Sequence, residues 1–250
     1  MLEHTFIHLP NFGPKREQKL WSCGIRTWDD FLSHFGNSPY HRDWCRRIAS
    51  SKYALKSRDA VYFANHLPND EMWRSFPHFN KIAYLDIETT GLSAEQNDIT
   101  VIGLFDGSKT HSYIHGQNLN AFYKEIAKYE AVVTFNGSLF DIPFIKKSMK
   151  GIKVPALHID LRFLLSSLGV TGGLKKIEKQ FNLEREDDLN GLTGYDAVLL
   201  WKAYTKKKDK DALDKLVRYN AADVSNLKIL IEWAYKEKRL RTGIAEFIKN

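Results

Sequence analysis

Cysteine is scarce. Cys23 and Cys45 are the only two in 250 residues, too few and too far apart for a disulfide framework or a zinc knuckle, so both read as reduced packing residues. Long apolar runs are missing too. No stretch approaches the ~18 residues that a membrane span requires, which argues against a membrane partner. The opening Met-Leu-Glu-His-Thr-Phe lacks a basic segment followed by an apolar one, so no secretory signal is expected and the cytoplasm is the default location. There is no internal repeat and no low-complexity tract, and the nine histidines show no ligand spacing. What is present is ordinary for a globular chain: 43% hydrophobic and 27% charged residues, enough to bury a full core in one or two domains of about 150 residues each. A formal charge of +7 is a mild pull toward polyanions, because each Lys or Arg placed against a phosphate releases condensed counterions.

Residues 1 to 80 carry almost no alternating apolar pattern and predict a small helical region. Pro14 sits at the first position of a helix, Lys15 to Cys23, that ends at Gly24, and Thr27 caps a second, Trp28 to His34. A longer periodic segment, His41 to Asn65, is marked by Trp44, Ile48, Tyr53, Leu55, Val61 and Phe63. Pro68 to Phe79, punctuated by Pro, Asn and Asp, reads as a linker. From Lys81 the pattern turns to strands: Ile82 to Ile87, Ile99 to Phe105 and Thr110 to Ile114, the last two joined by Asp106-Gly107 as a two-residue hairpin. A helix (Asn118 to Tyr129), a short strand (Ala131 to Phe135) and another helix (Phe140 to Met149) follow. From about Asp160 the pattern is helical, with breaks at Gly169 to Gly173 and Gly191 to Gly194. This order predicts an α/β fold over residues 81–250: a mixed sheet covered by helices.

Asp86 and Glu88 lie two apart on a predicted strand, so they project from one face while Leu85 and Ile87 project from the other. Paired carboxylates on an otherwise apolar strand are costly without a positive charge between them. A divalent cation, magnesium or manganese, suits such oxygen ligands; a strand with one solvated face would show the same pair. Tyr219 and Asp223 stand four apart in a helical segment, Leu213 to Ile231, one turn from each other on one face. They form the only Tyr-x-x-x-Asp of the chain, and Asp86 begins its only Asp-x-Glu. Between them, Asn136-Gly-Ser-Leu-Phe-Asp141 turns from a strand into a helix that carries Asp141 near its start, where the helix dipole favours an acid in any case.

Taken together, these residues resemble the DEDD-type, or DnaQ-like, 3′–5′ exonucleases of the RNase H-like superfamily. Asp86-Ile-Glu88-Thr-Thr-Gly matches the first family motif, Asn136-Gly-Ser-Leu-Phe-Asp141 the second as written in the proofreading domains of family B polymerases, and Tyr219-Asn-Ala-Ala-Asp223 the third. Tyr219 in place of a histidine places the resemblance in the tyrosine subgroup. His158-Ile-Asp160-Leu-Arg and Gly173-Leu174-Lys175-Lys176-Ile177 also resemble connecting segments of that branch and of stand-alone YprB-type RNase H-like proteins. The resemblance implies an RNase H-like fold and two divalent cations, Mg2+ or Mn2+, held by Asp86, Glu88, Asp141 and Asp223. It also implies a Tyr219 that orients the attacking water, and contacts from Thr89, Thr90, Gly91, Leu92 and Asn136 to the substrate strand. The implied activity is removal of nucleotides from the 3′ end of single-stranded DNA or RNA, with replication or repair proteins as partners. An RNase H-like endonuclease and a catalytically weak nucleic-acid-binding accessory factor are the alternatives. Asp160 is read as structural, a helix cap or an ion-pair partner.

Leu9-Pro10-Asn11-Phe12-Gly13-Pro14 with Gly24-Ile25-x-Thr27 resembles a helix-hairpin-helix motif over residues 9–34, with Asn11 where that family has its first glycine. Asn tolerates the left-handed conformation such a turn needs. Lys15, Arg16 and Lys19 would then flank a bound phosphate backbone; a helical hairpin used only for packing is the other reading. Lys206-Lys207-Lys208-Asp209-Lys210 reads as a solvated loop, with phosphate tracking as its functional alternative.

Overall fold

The computed structural model describes residues 1–183 and 185–247. They divide into two compact units, one formed by 1–80, 156–159 and 232–247, the other by 81–155 and 160–231 without residue 184. No helix among the described residues is long and apolar enough to cross a membrane.

The first unit is helical: α1 (Pro14–Ser22), α2 (Trp28–Phe35), α3 (Arg42–Lys56) and α4 (Ala60–His66), followed by a 3-10 stretch, Asn69–His78. Thr27 and Asp30 form a reciprocal capping box at the start of α2. Asn11 adopts the left-handed conformation (φ 59°) in the turn ahead of α1. Trp21, Trp28, Phe31, Ile48, Phe63 and Trp73 fill the core. The periodic segment from 41 to 65 forms two helices, because Arg58 turns left-handed (φ 56°) and the Asp59 carboxylate accepts from Tyr62 N–H at 2.9 Å, capping a new helix. Tyr53 and Val61, two of the apolar marks of that segment, are exposed. The expected linker, 68–79, is also structured. Asn69 and Asp70 are exposed, but Arg74 is buried and partnered: its Nη1 donates to Glu17 Oε2 at 2.9 Å and its Nε to Glu71 Oε2 at 2.6 Å, while Phe6 N–H donates to Glu17 Oε1 at 2.6 Å. Cys23 is exposed at the end of α1, so it is no packing residue. Cys45 is half-buried, with its thiol against the Phe35 carbonyl oxygen at 3.6 Å, and both cysteines are free.

The sheet has strands β1 (Ile82–Thr89), β2 (Ile99–Phe105), β3 (Thr110–Ile114), β4 (Ala131–Thr134) and β5 (Leu157–Asp160), in the order β3-β2-β1-β4-β5. β1 pairs antiparallel with β2 and parallel with β4, and β2 pairs antiparallel with β3. β5 alternates buried Leu157 and Ile159 with half-buried His158 and Asp160. The β2–β3 turn sits one residue further on than expected. Asp106 N–H donates to the Lys109 carbonyl at 3.1 Å, and the Asp106 carboxylate accepts from the N–H groups of Ser108 and Lys109, which leaves Gly107-Ser108 at the tip.

Ala83, Leu85 and Ile87 of β1 pack with Ile102, Leu104, Phe122 and Phe144 on one face, where α5 (Phe122–Ile126) and α6 (Asp141–Ser148) lie. The predicted helix from 118 to 129 is only α5, with a 3-10 turn, Leu119–Ala121, ahead of it. After α7 (Leu161–Ser166) and α8 (Leu174–Gln180) come α9 (Gly194–Lys207), the 32-residue α10 (Lys210–Arg241) and α11 (Ile244–Phe247). Trp201 of α9 and Leu216 and Tyr219 of α10 join Val101 on the opposite face. The lysine run is the exposed link between α9 and α10: Lys208 turns left-handed and Asp209 accepts from Ala212 N–H at 3.0 Å. The result is an α/β, RNase H-like mixed sheet covered by helices.

Candidate metal centre

Strand alternation sends Asp86 and Glu88 to the α10 side of β1, since Leu85 and Ile87 are committed to the other face. Across β2 the residue paired with Asp86 is Gly103, which presents no side chain to that face. The space is taken by Asn220, whose Nδ2 donates to Asp86 Oδ2 at 2.9 Å. Three residues on, Asp223 completes the group: Asp86, Glu88 and Asp223 each bring a carboxylate oxygen within 4.8 Å of the others, with Glu88 and Asp223 buried and Asp86 half-buried.

Asp141 comes from the turn after β4. Asn136 is left-handed (φ 67°), Gly137 N–H donates to Thr134 Oγ1 at 3.1 Å, and α6 starts at Asp141. A Cβ on Gly137 would lie 2.3 Å from that Oγ1, so only glycine lets the turn close. Asp141 is buried and its Oδ1 accepts from Ile87 N–H at 3.0 Å. Its charge acts on Asp86, but it is not among the three carboxylates whose oxygens converge. Asp160 caps α7 and pins this turn, accepting from the N–H groups of Arg162 (3.1 Å), Asn136 (2.8 Å) and Ser138 (3.0 Å).

Arg185 and Lys175 relieve the crowding of the carboxylates only in part. Burial first, then Asp141, Asp223 and Glu88, push the Asp86 carboxyl well above its ordinary range. Burial and Asp223 raise Glu88 well above its own, with Lys175 opposing. Burial raises Asp223 even though Arg185 and Lys175 pull it down, and burial pushes Asp141 up to about 7 against its hydrogen bond from Ile87. An all-oxygen donor set of this kind fits a hard divalent cation, which the acidic groups would need in order to stay ionised together.

Tyr219 is buried one turn before Asp223, and burial raises its phenol far above the usual value, so it remains protonated. Lys175 at the start of α8 reaches the Tyr219 hydroxyl and the Leu192 carbonyl oxygen, with its Nζ 3.8 Å from the Tyr219 ring centroid. Arg185 pairs with Asp223 and Glu178. Motif reading assigned no role to Lys175, Glu178, Arg185, Asn220 or Asn226. Asn220 and Lys175 lie inside quoted motifs, but Arg185 sits in a charged stretch that reads as solvated surface.

The other expected contact residues are placed as follows. Thr89 Oγ1 donates to the Gly91 carbonyl at 2.7 Å and Thr90 Oγ1 to Asn97 Oδ1 at 3.2 Å, so the loop after β1 is held by its own bonds, with Leu92 exposed at its tip. Asn136 Oδ1 accepts from Arg162 Nη1 at 2.6 Å, which engages the amide expected to face a substrate. Lys15, Arg16 and Lys19 belong to the first unit. Lys15 and Lys19 are exposed, whereas Arg16 donates to the Asn11 carbonyl at 2.9 Å and lies over the Phe12 and Trp44 rings.

No curated relative matches the sequence. Among solved structures, the chain is similar to the family B DNA polymerase of Pyrobaculum calidifontis at 14% identity and TM-score 0.47, over 64% of this chain and only 24% of the polymerase. It is similar to a nuclease solved in its apo form at 17% identity and TM-score 0.47, over 69% of this chain and 80% of that one. Brucella melitensis NrnC bound to pGG aligns at 16% identity and TM-score 0.43, over 72% of this chain and 81% of NrnC. The family model of the RNase H superfamily matches residues 83–235, more than half of the sequence and all four acidic residues of the centre, so the chain belongs to the RNase H superfamily.

Proposed function

We propose that the protein is a metal-dependent 3′–5′ exonuclease of the DEDD tyrosine subgroup, acting on single-stranded nucleic acid, DNA first and RNA second. The observation that carries this reading is the convergence of the Asp86, Glu88 and Asp223 oxygens within 4.8 Å, with the buried Tyr219 one helical turn before Asp223. Asp86, Glu88 and Asp223, with Asp141 beside them, would hold two divalent cations, Mg2+ or Mn2+. When bound, such ions acidify the attacking water and stabilise charge on the leaving oxygen. The protein's own groups do the rest. Tyr219, kept protonated by burial and fixed by Lys175, offers a hydroxyl to orient the water. Asn220 holds Asp86 at the angle the cluster needs. Thr89 to Leu92 lie next in sequence to Glu88, and Leu92, apolar and exposed, offers a surface for the terminal base.

The helical region 1–80 serves as a separate binding domain, with exposed Lys15 and Lys19 as cations for a phosphate backbone and replication or repair proteins as further partners. The cytoplasm is the proposed location. The test is purified protein with Mg2+ or Mn2+ against 5′-labelled single-stranded DNA and RNA of equal sequence, with a closed circle as control. A descending ladder, a resistant circle and full inhibition by chelator are expected. Rapid cutting of the circle would replace the exonuclease with an endonuclease, and no cleavage of any strand would leave the accessory-factor reading.

A further inference from the structure

Glu178 and Asp223 share one guanidinium. Arg185 donates to the Glu178 carboxylate from Nε to Oε2 at 3.0 Å and from Nη2 to Oε1 at 2.6 Å, and Nη2 also meets Asp223 Oδ1. The Glu178 carboxylate is itself held, since Asn226 of α10 donates Nδ2 to Glu178 Oε1 at 2.9 Å. A bidentate fork of this kind fixes the plane of the guanidinium as well as its position. Its side chain is 5% exposed. The remaining nitrogen, Nη1, is buried and meets no hydrogen-bond partner among the described residues.

A buried N–H without an acceptor is uncommon and costly. Here it belongs to a charge that cannot be shed by deprotonation. Among the described residues every acceptor that approaches Arg185 does so through Nε or Nη2, which leaves the buried Nη1 as the donor without a partner. The guanidinium lies at the acidic centre, with Nη2 on Asp223 and Cζ 5.6 Å from the Tyr219 ring centroid. The other cation there, Lys175, is occupied by the Tyr219 hydroxyl and the Leu192 carbonyl. We propose that Arg185 is a phosphate-binding residue of the acidic centre, with Nη1 donating to a non-bridging oxygen of the substrate phosphodiester. The proposal rests on the nuclease reading of the same site and supplies the anion contact that a cluster of carboxylates lacks. Glu178 and Asn226 are then positioning residues that aim the guanidinium.

The experiment compares the full chain with Arg185→Gln, Arg185→Lys and Glu178→Gln, each checked for folding by circular dichroism. Binding of a 5′-fluorescent single strand is measured in chelator across a salt series, with either a natural 3′-terminal linkage or a methylphosphonate that removes its charge. Mn2+ binding alone is measured by electron paramagnetic resonance, and cleavage in Mg2+. Arg185→Gln is expected to lower the salt slope by about 0.7, the value of one phosphate on a single strand. It should also lose the wild type's discrimination against the methylphosphonate, bind Mn2+ at least as well as wild type, and cleave about 10²–10³-fold more slowly. Arg185→Lys should keep part of the discrimination, because it keeps the charge without the fork. It decides the question if Arg185→Gln does not fold, since full wild-type discrimination and rate in Arg185→Lys would overturn the proposal. An unchanged slope, discrimination and rate in a folded Arg185→Gln would overturn it equally. A wild type that discriminates against the methylphosphonate through Arg185 but cleaves nothing supports the phosphate contact and sinks the nuclease reading alone.

Discussion

Gly103 and Asn220 approach each other more closely than any larger residue at 103 would allow: a Cβ there would stand 2.1 Å from Asn220 Oδ1 and 3.2 Å from Val224 Cγ1. Asn220 is fully buried and its Nδ2 is spent on Asp86, so it has little room to yield. Gly103→Ala should therefore cost about 1–3 kcal/mol as an overpacked contact and reduce cleavage by displacing the Asp86 carboxylate. Adding Asn220→Ala to Gly103→Ala should restore most of the lost stability and none of the activity. Purely additive losses in denaturant melts would show that the two residues do not press on each other.

Removing one charge from the acidic centre should help the metal-free protein. Asp86 has a folded pKa raised above its unfolded value, so it contributes stability that is present at low pH and lost as pH rises through the folded pKa. In chelator, Asp86→Asn should melt higher than wild type, with a gap that widens as pH rises, while Mn2+ binding and cleavage collapse. Asp223→Ala should behave differently, because it strips one of two partners from buried Arg185 and so should melt lower. Undiminished cleavage by Asp86→Asn would sink the metal-centre assignment.

Tyr219→Phe removes a hydroxyl and no metal ligand. It should retain Mn2+ binding and strand affinity yet slow cleavage by about 10²–10⁴-fold, the usual worth of a positioned proton-transfer or orienting group. A fully active variant would reassign the water-orienting role, with Lys175, its immediate neighbour, the next residue to substitute.

The first unit should be acid-sensitive through His8. Burial, then the neighbouring charges of His66 and Arg47, lower His8 from its ordinary 6.5 to about 3. A depressed histidine contributes stability that is fully present above pH 6.5 and is lost as pH falls toward 3, at about 1.4 kcal/mol per pH unit. His78, lowered to about 4 by burial and by the N-terminal ammonium, acts in the same sense. Urea midpoints between pH 7 and 4 should fall less steeply for His8→Phe than for wild type, and parallel slopes would mean that His8 is charged when folded.

Local chemistry made much of the second unit readable. Alternation along 82–88 dictates that Asp86 and Glu88 share a face whatever surrounds them, and helical spacing does the same for Tyr219 and Asp223. The β2–β3 turn shifted by one residue because the Asp106 carboxylate captures two N–H groups, and the periodic segment 41–65 is interrupted where Arg58 turns left-handed and Asp59 caps a second helix. The stretch 69–78 misled for a different reason. Its Asn, Asp and Pro residues carry the composition of a linker, yet Arg74 finds its acceptor on Glu17, 57 residues earlier.

The amino-acid sequence by itself determined which carboxylates exist and on which face of which element each one lies, because strand and helix periods are properties of the backbone. Only the tertiary structure decided which of them meet. Asp86, Glu88 and Asp223 converge because α10 settles over Gly103, while Asp141 is held back by the N–H of Ile87 and Asn136 is drawn to Arg162. The same packing put Arg185 at the acidic centre. A guanidinium in a run of charged residues carries no local mark of burial, since what buries it is a pair of carboxylates supplied by two different helices.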